Sequence, residues 1–376
     1  MQTVEDWLVA FADFAWGPWL LVLLLGGGAF FFLYSRLAPF RYFFHALDIL
    51  RGKYDRADAQ GDLSHFRALS SALAGTIGLG NIGGVAVAIH MGGPGAIFWM
   101  WVGAFLGMAT KFFTCTLAVL YRGPDSQGHI QGGPMFAIVH GLGPRWRPLA
   151  VMFSFCTLWA AFPLFQINQL VQVLRDVVLI PHGWLTTPGA AFGFNMSLGI
   201  LVAALVGLVV LGGIQRIGAA ASRMVPAMVV LYVGMAVWIL LTHLPEIPSY
   251  FAIILHDAFT GDAVAGGALG SVIITGIRRS AFSNEAGIGT EAMAHGAART
   301  NEPVREGLVA MLGPLIDTLI VCSATAMIII SSDAWRDSDA TGVTLTANAI
   351  NYHLPGIGPY LLVVCVFFFG ISTLFS

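Results

Sequence analysis

Residues 75–112 read GTIGLGNIGGVAVAIHMGGPGAIFWMWVGAFLGMATKF, an apolar run long enough to cross a bilayer twice. Its first half sets glycines at 75, 78, 80, 83 and 84 around one amide side chain, Asn81. A helix in lipid must satisfy its own backbone hydrogen bonds, so clustered glycines with a polar side chain at mid-span are tolerated where the helix breaks beside a cavity. The freed amides and carbonyls then face a ligand, which is how discontinuous helices build a solute site near the bilayer midplane. The stretch predicts one broken span followed directly by a continuous one.

The rest of the chain fits that setting. Hydrophobic residues make up 57% of the 376, charged residues only 10%, and mean hydropathy is +0.79. Soluble domains carry about 25% charge. Apolar segments recur near 16–35, 68–90, 96–121, 149–174, 197–213, 224–242, 264–282, 307–330 and 359–376, each close to the roughly 20 residues that span hydrocarbon. The fold class is an all-α polytopic membrane protein. The first segment follows acidic residues and has no small-residue cleavage site, so it reads as a span and not as a signal peptide.

Lysine and arginine set the orientation. Arg36, Arg41, Arg51, Lys53, Arg56 and Arg67 fall between the first two spans. Alternation brings Arg122, Arg145, Arg147, Arg216, Arg223, Arg278, Arg279, Arg299 and Arg305 to the same side, 15 of the 18 Lys and Arg in all. Arg175 and Arg336 fall opposite, and Lys111 lies within a span. The expected arrangement is multi-pass in the plasma (inner) membrane, with the N-terminus external beside the segments carrying Asp257, Asp262, Asp333, Asp337 and Asp339. Cys115, Cys156, Cys322 and Cys365 all lie within spans without CxxC spacing, and read as buried thiols. A net charge of −2 gives no case for nucleic acid.

A second Asn–Gly cluster, SNEAGIG (283–289), echoes GLGNIGG (78–84) about 200 residues on. Paired interrupted segments in two halves are the pattern of a repeat-built transporter, although small-residue packing faces alone could produce glycine clusters. A channel would want repeated charged or carbonyl-lined pore segments. An intramembrane enzyme would want HExxH or a readable nucleophile pair. Neither is present, and the scattered histidines fit no metal pattern. Gly78–Gly83 matches GxGxxG, but no strand precedes it and it is embedded in a span, which excludes a dinucleotide site.

GTIGLGNIGGVA (75–86), GGPGAIFWMWVGAFLGMATKF (92–112), FSNEAGIG (282–289) and PVREGLVAMLGPLIDTLIVC (303–322) together resemble the alanine or glycine:cation symporter family. The resemblance runs from about residue 16 to the end. It implies the leucine-transporter fold: two inverted five-helix repeats, here after one extra N-terminal helix at 16–35. Repeat one would occupy 68–242 and repeat two 264–376. The final span would be the eighth core helix, so the second repeat is expected to be incomplete. The implied activity is cation-driven, usually Na⁺-driven, uptake of a small neutral amino acid such as alanine or glycine. No cofactor is implied beyond Na⁺ as coupling ion, and no catalytic residue. The alternatives are a truncated non-transporting remnant, or a transporter or channel for another small solute.

Candidate substrate contacts are Thr76, Gly78, Gly80 and Asn81 at the first break, Gln166 in the amide-rich stretch Gln166-Asn168-Gln169, and Ser283 and Asn284 at the second break. The resemblance implies a Na⁺ site from the carbonyls of Ala74 and Ile77, the Asn81 amide oxygen, and the hydroxyls of Ser372 and Thr373. Back-bonding of the two hydroxyls to their own helix is the competing reading. Intramembrane charges mark functional paths by default, which makes Asp317 and Lys111 candidates for coupling, with Lys111 otherwise snorkelling to the interface. Glu285 is a candidate gating group, or a structural partner of Arg278 or Arg279. Family members commonly carry Glu three residues after Lys111, where this chain has Thr114, so no ion pair is assigned to Lys111.

Overall fold

The structure is a computed structural model, and it describes residues 2–56, 58–125, 128–162, 164–185, 188–260, 269–337 and 340–376. Asp262 and Asp339, among the acidic residues expected outside, lie beyond the described residues, as does the start expected for the second repeat. Among the described residues the regular structure is helical apart from one two-stranded antiparallel hairpin, Gly123–Pro124 with Ile130–Gln131, and an isolated bridge between Leu63 and Ala298. Helices α1 (Gln2–Ala15) and α2 (Pro18–Tyr34) lead to α3 (His65–Thr76), a π-turn at Gly80–Gly84, α4 (Val85–Gly92) and α5 (Ala96–Leu120). Then come α6 (Arg147–Ala160), α7 (Leu164–Val173), α8 (Pro188–Val210), α9 (Gly213–Thr242), α10 (Ile247–Thr260), α11 (Leu269–Asn284) and α12 (Glu291–Gly296). α13 (Pro303–Ala310) continues through a π-helical stretch, Leu315–Cys322, into α14 (Ser323–Ser331). α15 (Gly342–His353) and α16 (Gly358–Phe375) follow.

Among the described residues, six helical stretches are long and apolar enough to cross a membrane, and α3 with the segment Gly80–Gly92 makes a seventh, bent by 54° at the predicted break. The molecule is an all-α polytopic membrane protein. Two expected spans differ from the helices found. Residues 149–174 divide into α6 (Arg147–Ala160) and α7 (Leu164–Val173). Residues 264–282 supply only the sixteen-residue α11 among those described.

Small residues set the packing, as they do where lipid gives no hydrophobic drive to helix association. A methyl group at Gly103 would lie 2.8 Å from Ser280 Oγ, and one at Gly107 would lie 2.9 Å from Ala286 Cβ, so α5 seats directly on α11. At Gly307 it would overlap Thr116, which brings α13 onto the other side of α5. The extra helix α2 buries only Leu21 and Gly28 and lies against α5 through Phe31 and Phe113, whose rings are 4.7 Å apart.

Several charge and cysteine placements differ from expectation. Arg278 and Arg279 sit in the body of α11 and not in a loop, because the helix extends to Asn284. Asp257 is buried and accepts the Gly95 amide at 2.6 Å, capping the start of α5. Cys115, Cys322 and Cys365 are buried, whereas Cys156 is exposed on α6, a helix whose only buried residue is Ala150.

Candidate functional site

The two breaks meet. At the first, Ile77 leaves the helical region with ψ near 99°. The Gly78 amide turns to Asn81 Oδ1 at 2.8 Å, while the Asn81 amide donates to the Gly78 carbonyl at 3.1 Å. Asn81 thus caps its own break from both sides, much as a capping residue closes a helix start. Its Oδ1, expected to hold a cation, is taken by this bond. Gly78, by turning away, leaves the Ala74 carbonyl without its helical donor. The second break, 285–290, uses the same device: Asn284 Oδ1 accepts from the Ala286 amide at 3.0 Å, and Gly287 and Gly289 adopt φ of 89° and 99°, which glycine alone adopts freely.

Asp317 joins them. Asn81 Nδ2 donates to Asp317 Oδ1 at 2.6 Å, and Ser283 and Thr318 hydroxyls donate to Oδ2 at 2.8 and 2.7 Å. Asn284 Nδ2 reaches Thr318 at 3.1 Å and Ser280 at 3.1 Å. Asn81, Asp317 and Thr318 are completely buried, and Ser283 and Asn284 nearly so. Three donors thus surround a fully buried carboxyl group, as burial of such a polar group requires. π-Helical stretches, frequent at functional sites, carry both Asn81 and Asp317.

Residues that the sequence reading missed complete the ring. Three successive carbonyls of the first break are each bonded from a different helix: Gly80 by Arg279 Nη2 at 3.0 Å, Asn81 by Thr325 at 2.8 Å, Ile82 by Thr346 at 3.2 Å. Tyr232 OH lies 2.7 Å from the Thr325 hydroxyl. Arg279 also stacks over Phe282, 5.0 Å from the ring centre, and occupies the space a side chain at Gly84 would need. Isolated hydroxyls in apolar helices were the available signal, since a π-turn frees carbonyls that something must bond.

The other expected residues fall as follows. Ser372 and Thr373 donate to the Phe369 carbonyl of their own helix, at 3.0 and 2.9 Å. Thr373 nevertheless faces the break: a methyl group at Gly78 would come 2.7 Å from its Oγ1. Thr76 is buried and its hydroxyl faces the Leu73 carbonyl at 3.5 Å, whereas Gly80 lies beneath Arg279 and Phe282. Gln166 is half-buried on α7, outside the Asn81–Asp317 network. Lys111 and Glu285 both depart from their alternative readings. Lys111 is 1% exposed and does not snorkel; it lies beside Gly313. Glu285 accepts from Thr290 instead of pairing with Arg278 or Arg279, because the turn after Asn284 folds it back. Thr114, in place of the family's glutamate, donates to Glu291 at 3.2 Å, so a carboxylate reaches that position from α12.

The whole chain, residues 1–376, matches the model of the sodium:alanine symporter family. It is 40% identical to an uncharacterised transporter of Haemophilus influenzae, across 99% of this chain and 80% of that protein. It is 39% identical to the sodium/alanine symporter AgcS of Methanococcus maripaludis, across 96% and 78%, and 34% identical to a probable sodium/glutamine symporter, GlnT, of Bacillus subtilis, across 100% and 76%. With two capped helix breaks meeting at a buried carboxylate, and a match along its entire length, this chain belongs to the sodium:alanine symporter family.

Proposed function

We propose that this symporter carries a small neutral amino acid, alanine or glycine, inward with Na⁺ across the plasma (inner) membrane, with its N-terminus external. The observation that carries the reading is the first break itself, where the turned Gly78 amide leaves the Ala74 carbonyl without its helical donor and Gly78 faces the Thr373 hydroxyl. Na⁺ is a hard cation that takes oxygen ligands. Ala74 and Ile77 carbonyls with the Ser372 and Thr373 hydroxyls form its site, once each hydroxyl proton stays on Phe369 and the lone pairs turn inward. Substrate lies across the two breaks, its carboxylate toward the positive end of the second half-helix. Ser283, Asn284 and Gln166 line the rest, and Asp317 holds the breaks in register. Thr373 stands against Gly78, and Arg279 and Phe282 cover Gly80, so the tightly packed breaks favour a small side chain. Within the inverted-repeat arrangement, the segments 68–242 and 264–376 are the two units around this site.

Uptake into proteoliposomes should require an inward Na⁺ gradient and should be competed by alanine or glycine. Equal uptake with no cation gradient would sink the symport reading.

A further inference from the structure

A second polar cluster lies at the end of the molecule where Leu63 pairs with Ala298, and the transport site does not use it. Glu306, in the first turn of α13, is fully buried, and each of its carboxylate oxygens meets an imidazole. Oε2 is bonded to Nδ1 of His65, the first residue of α3. Oε1 is bonded to Nδ1 of His295, in α12, at 2.5 Å. All three residues are at most 2% exposed. His295 Nε2 is buried with no partner, and His65 Nε2 lies 3.9 Å from Asp55. One carboxylate therefore ties the start of the first broken span to the end of the second.

Charge bookkeeping decides what this cluster holds. A carboxylate between two neutral imidazoles leaves a net negative charge in a dry interior, which is strongly unfavourable, whereas one added proton gives a neutral, hydrogen-bonded ion pair. A second proton would restore a net charge of the other sign. The surroundings do not alter this count. Asp55, partly exposed, stands 3.9 Å from His65, while Arg305 is paired with Glu302 at 2.9 Å and stacked on Tyr54. Arg122, just past α5, is bonded to the Ala298 carbonyl at 2.8 Å. On α5 the buried Cys115 shares an apolar cluster with Ala292 and Ala310, Lys111 lies beside Gly313, and Glu291 accepts from Thr114.

We propose that His65, Glu306 and His295 form a proton-binding site, which takes up one proton when this end of the molecule closes and releases it to water when the end opens. An imidazole in water gives up its proton near pH 6.5, so hydration on opening removes the reason to keep it. The proposal rests on the symport reading to the extent that this end must open during transport; the proton need not be a coupling ion.

Ala298→Cys, in a Cys156→Ser background, reports opening through its maleimide labelling rate in detergent, which does not depend on membrane orientation. Rates are measured from pH 6.5 to 8.0 and divided by those of the same protein carrying Glu306→Gln, so that the thiol's own ionisation cancels. One-proton linkage allows at most about a tenfold change per pH unit, and the ratio should rise by several-fold per unit as the solution becomes alkaline. The double variant His65→Gln/His295→Gln should replace Glu306→Gln as the flat reference if the latter does not fold. A ratio that is flat, or that rises on acidification, overturns the proposal. Flat labelling with Na⁺-driven uptake intact strikes this inference alone; pH-linked labelling without Na⁺-driven uptake strikes the transport reading alone.

Discussion

Asn81 and Asn284 each close the break they stand in, and each then spends its remaining amide group on the π-stretch that carries Asp317 and Thr318. Asn81→Ala removes the acceptor of the Gly78 amide and a donor to Asp317 together. Each buried group left unpaired costs about 1–3 kcal/mol, so the variant should melt earlier and lose uptake by roughly tenfold or more. Asn81→Asp is the sharper test, because it keeps the cap for Gly78 but sets a second carboxylate where the amide lay 2.6 Å from Asp317. It should be the more damaged of the two in uptake at neutral pH, since two carboxylates at that distance cannot both ionise. Equal behaviour of the two variants would remove Asp317 from the account. The asparagines were legible in the sequence, because a single amide among glycines in an apolar run has few other uses. The partner was not: Asp317 lies 236 positions from Asn81, and nothing local in LIDTLIVC says which carbonyls and amides will surround it.

Among the elements, α16 lies along the first break with Ser376 toward Gly75 and Thr373 toward Gly78. If Thr373 is an ion ligand, Thr373→Ala should raise the Na⁺ concentration for half-maximal uptake by about tenfold, equivalent to ~1.4 kcal/mol, and Thr373→Ser should be mild. Gly78→Ala should harm uptake through the 2.7 Å approach of its methyl to Thr373 Oγ1. Adding Thr373→Ala to it should cost less than the two single losses together, since the residues touch and their effects are coupled. Strict additivity would place the damage of Gly78→Ala elsewhere. A contrasting case is Gly307→Ala, whose methyl would collide with Thr116 and lie 2.5 Å from the Phe112 carbonyl oxygen. It should lower the melting temperature while leaving the apparent affinities of the surviving protein unchanged, because the contact between α13 and α5 carries structure and not ligand. The broken and continuous spans could be read from glycine spacing and hydropathy. The division of 149–174, the burial of Asp257 and the exposure of Cys156 could not, since they depend on which helix faces remain uncovered after packing.

Over the whole molecule, imidazoles mark both ends of the span that runs from Pro303 to Ser331, and their partners differ. At the Glu306 end a carboxylate invites a proton. At the far end His353 accompanies Ser331, with its Nε2 2.9 Å from the Ser331 hydroxyl, and its ring packs edge-on to His243 at 4.7 Å. Here burial, reinforced by the neighbouring His243 and offset in part by the Ile328 carbonyl and Glu246, pushes His353 down to about 4. The sign follows from proton counting. Between about pH 6.5, where a free imidazole titrates, and about 4, the unfolded chain binds a proton that the folded one refuses, so stability rises with pH through that window. The contribution is fully present above about 6.5 and is lost as the solution is acidified toward 4. The melting temperature of the purified protein should therefore fall on going from pH 7 to pH 4.5, and His353→Gln, which can still donate to Ser331, should fall less steeply. The difference between the two curves isolates this end from the Glu306 cluster, whose proton acts in the opposite sense. Parallel curves for the two proteins would show that His353 is free to charge where it stands, and that α15 is not held to α9 and α14 through a neutral ring.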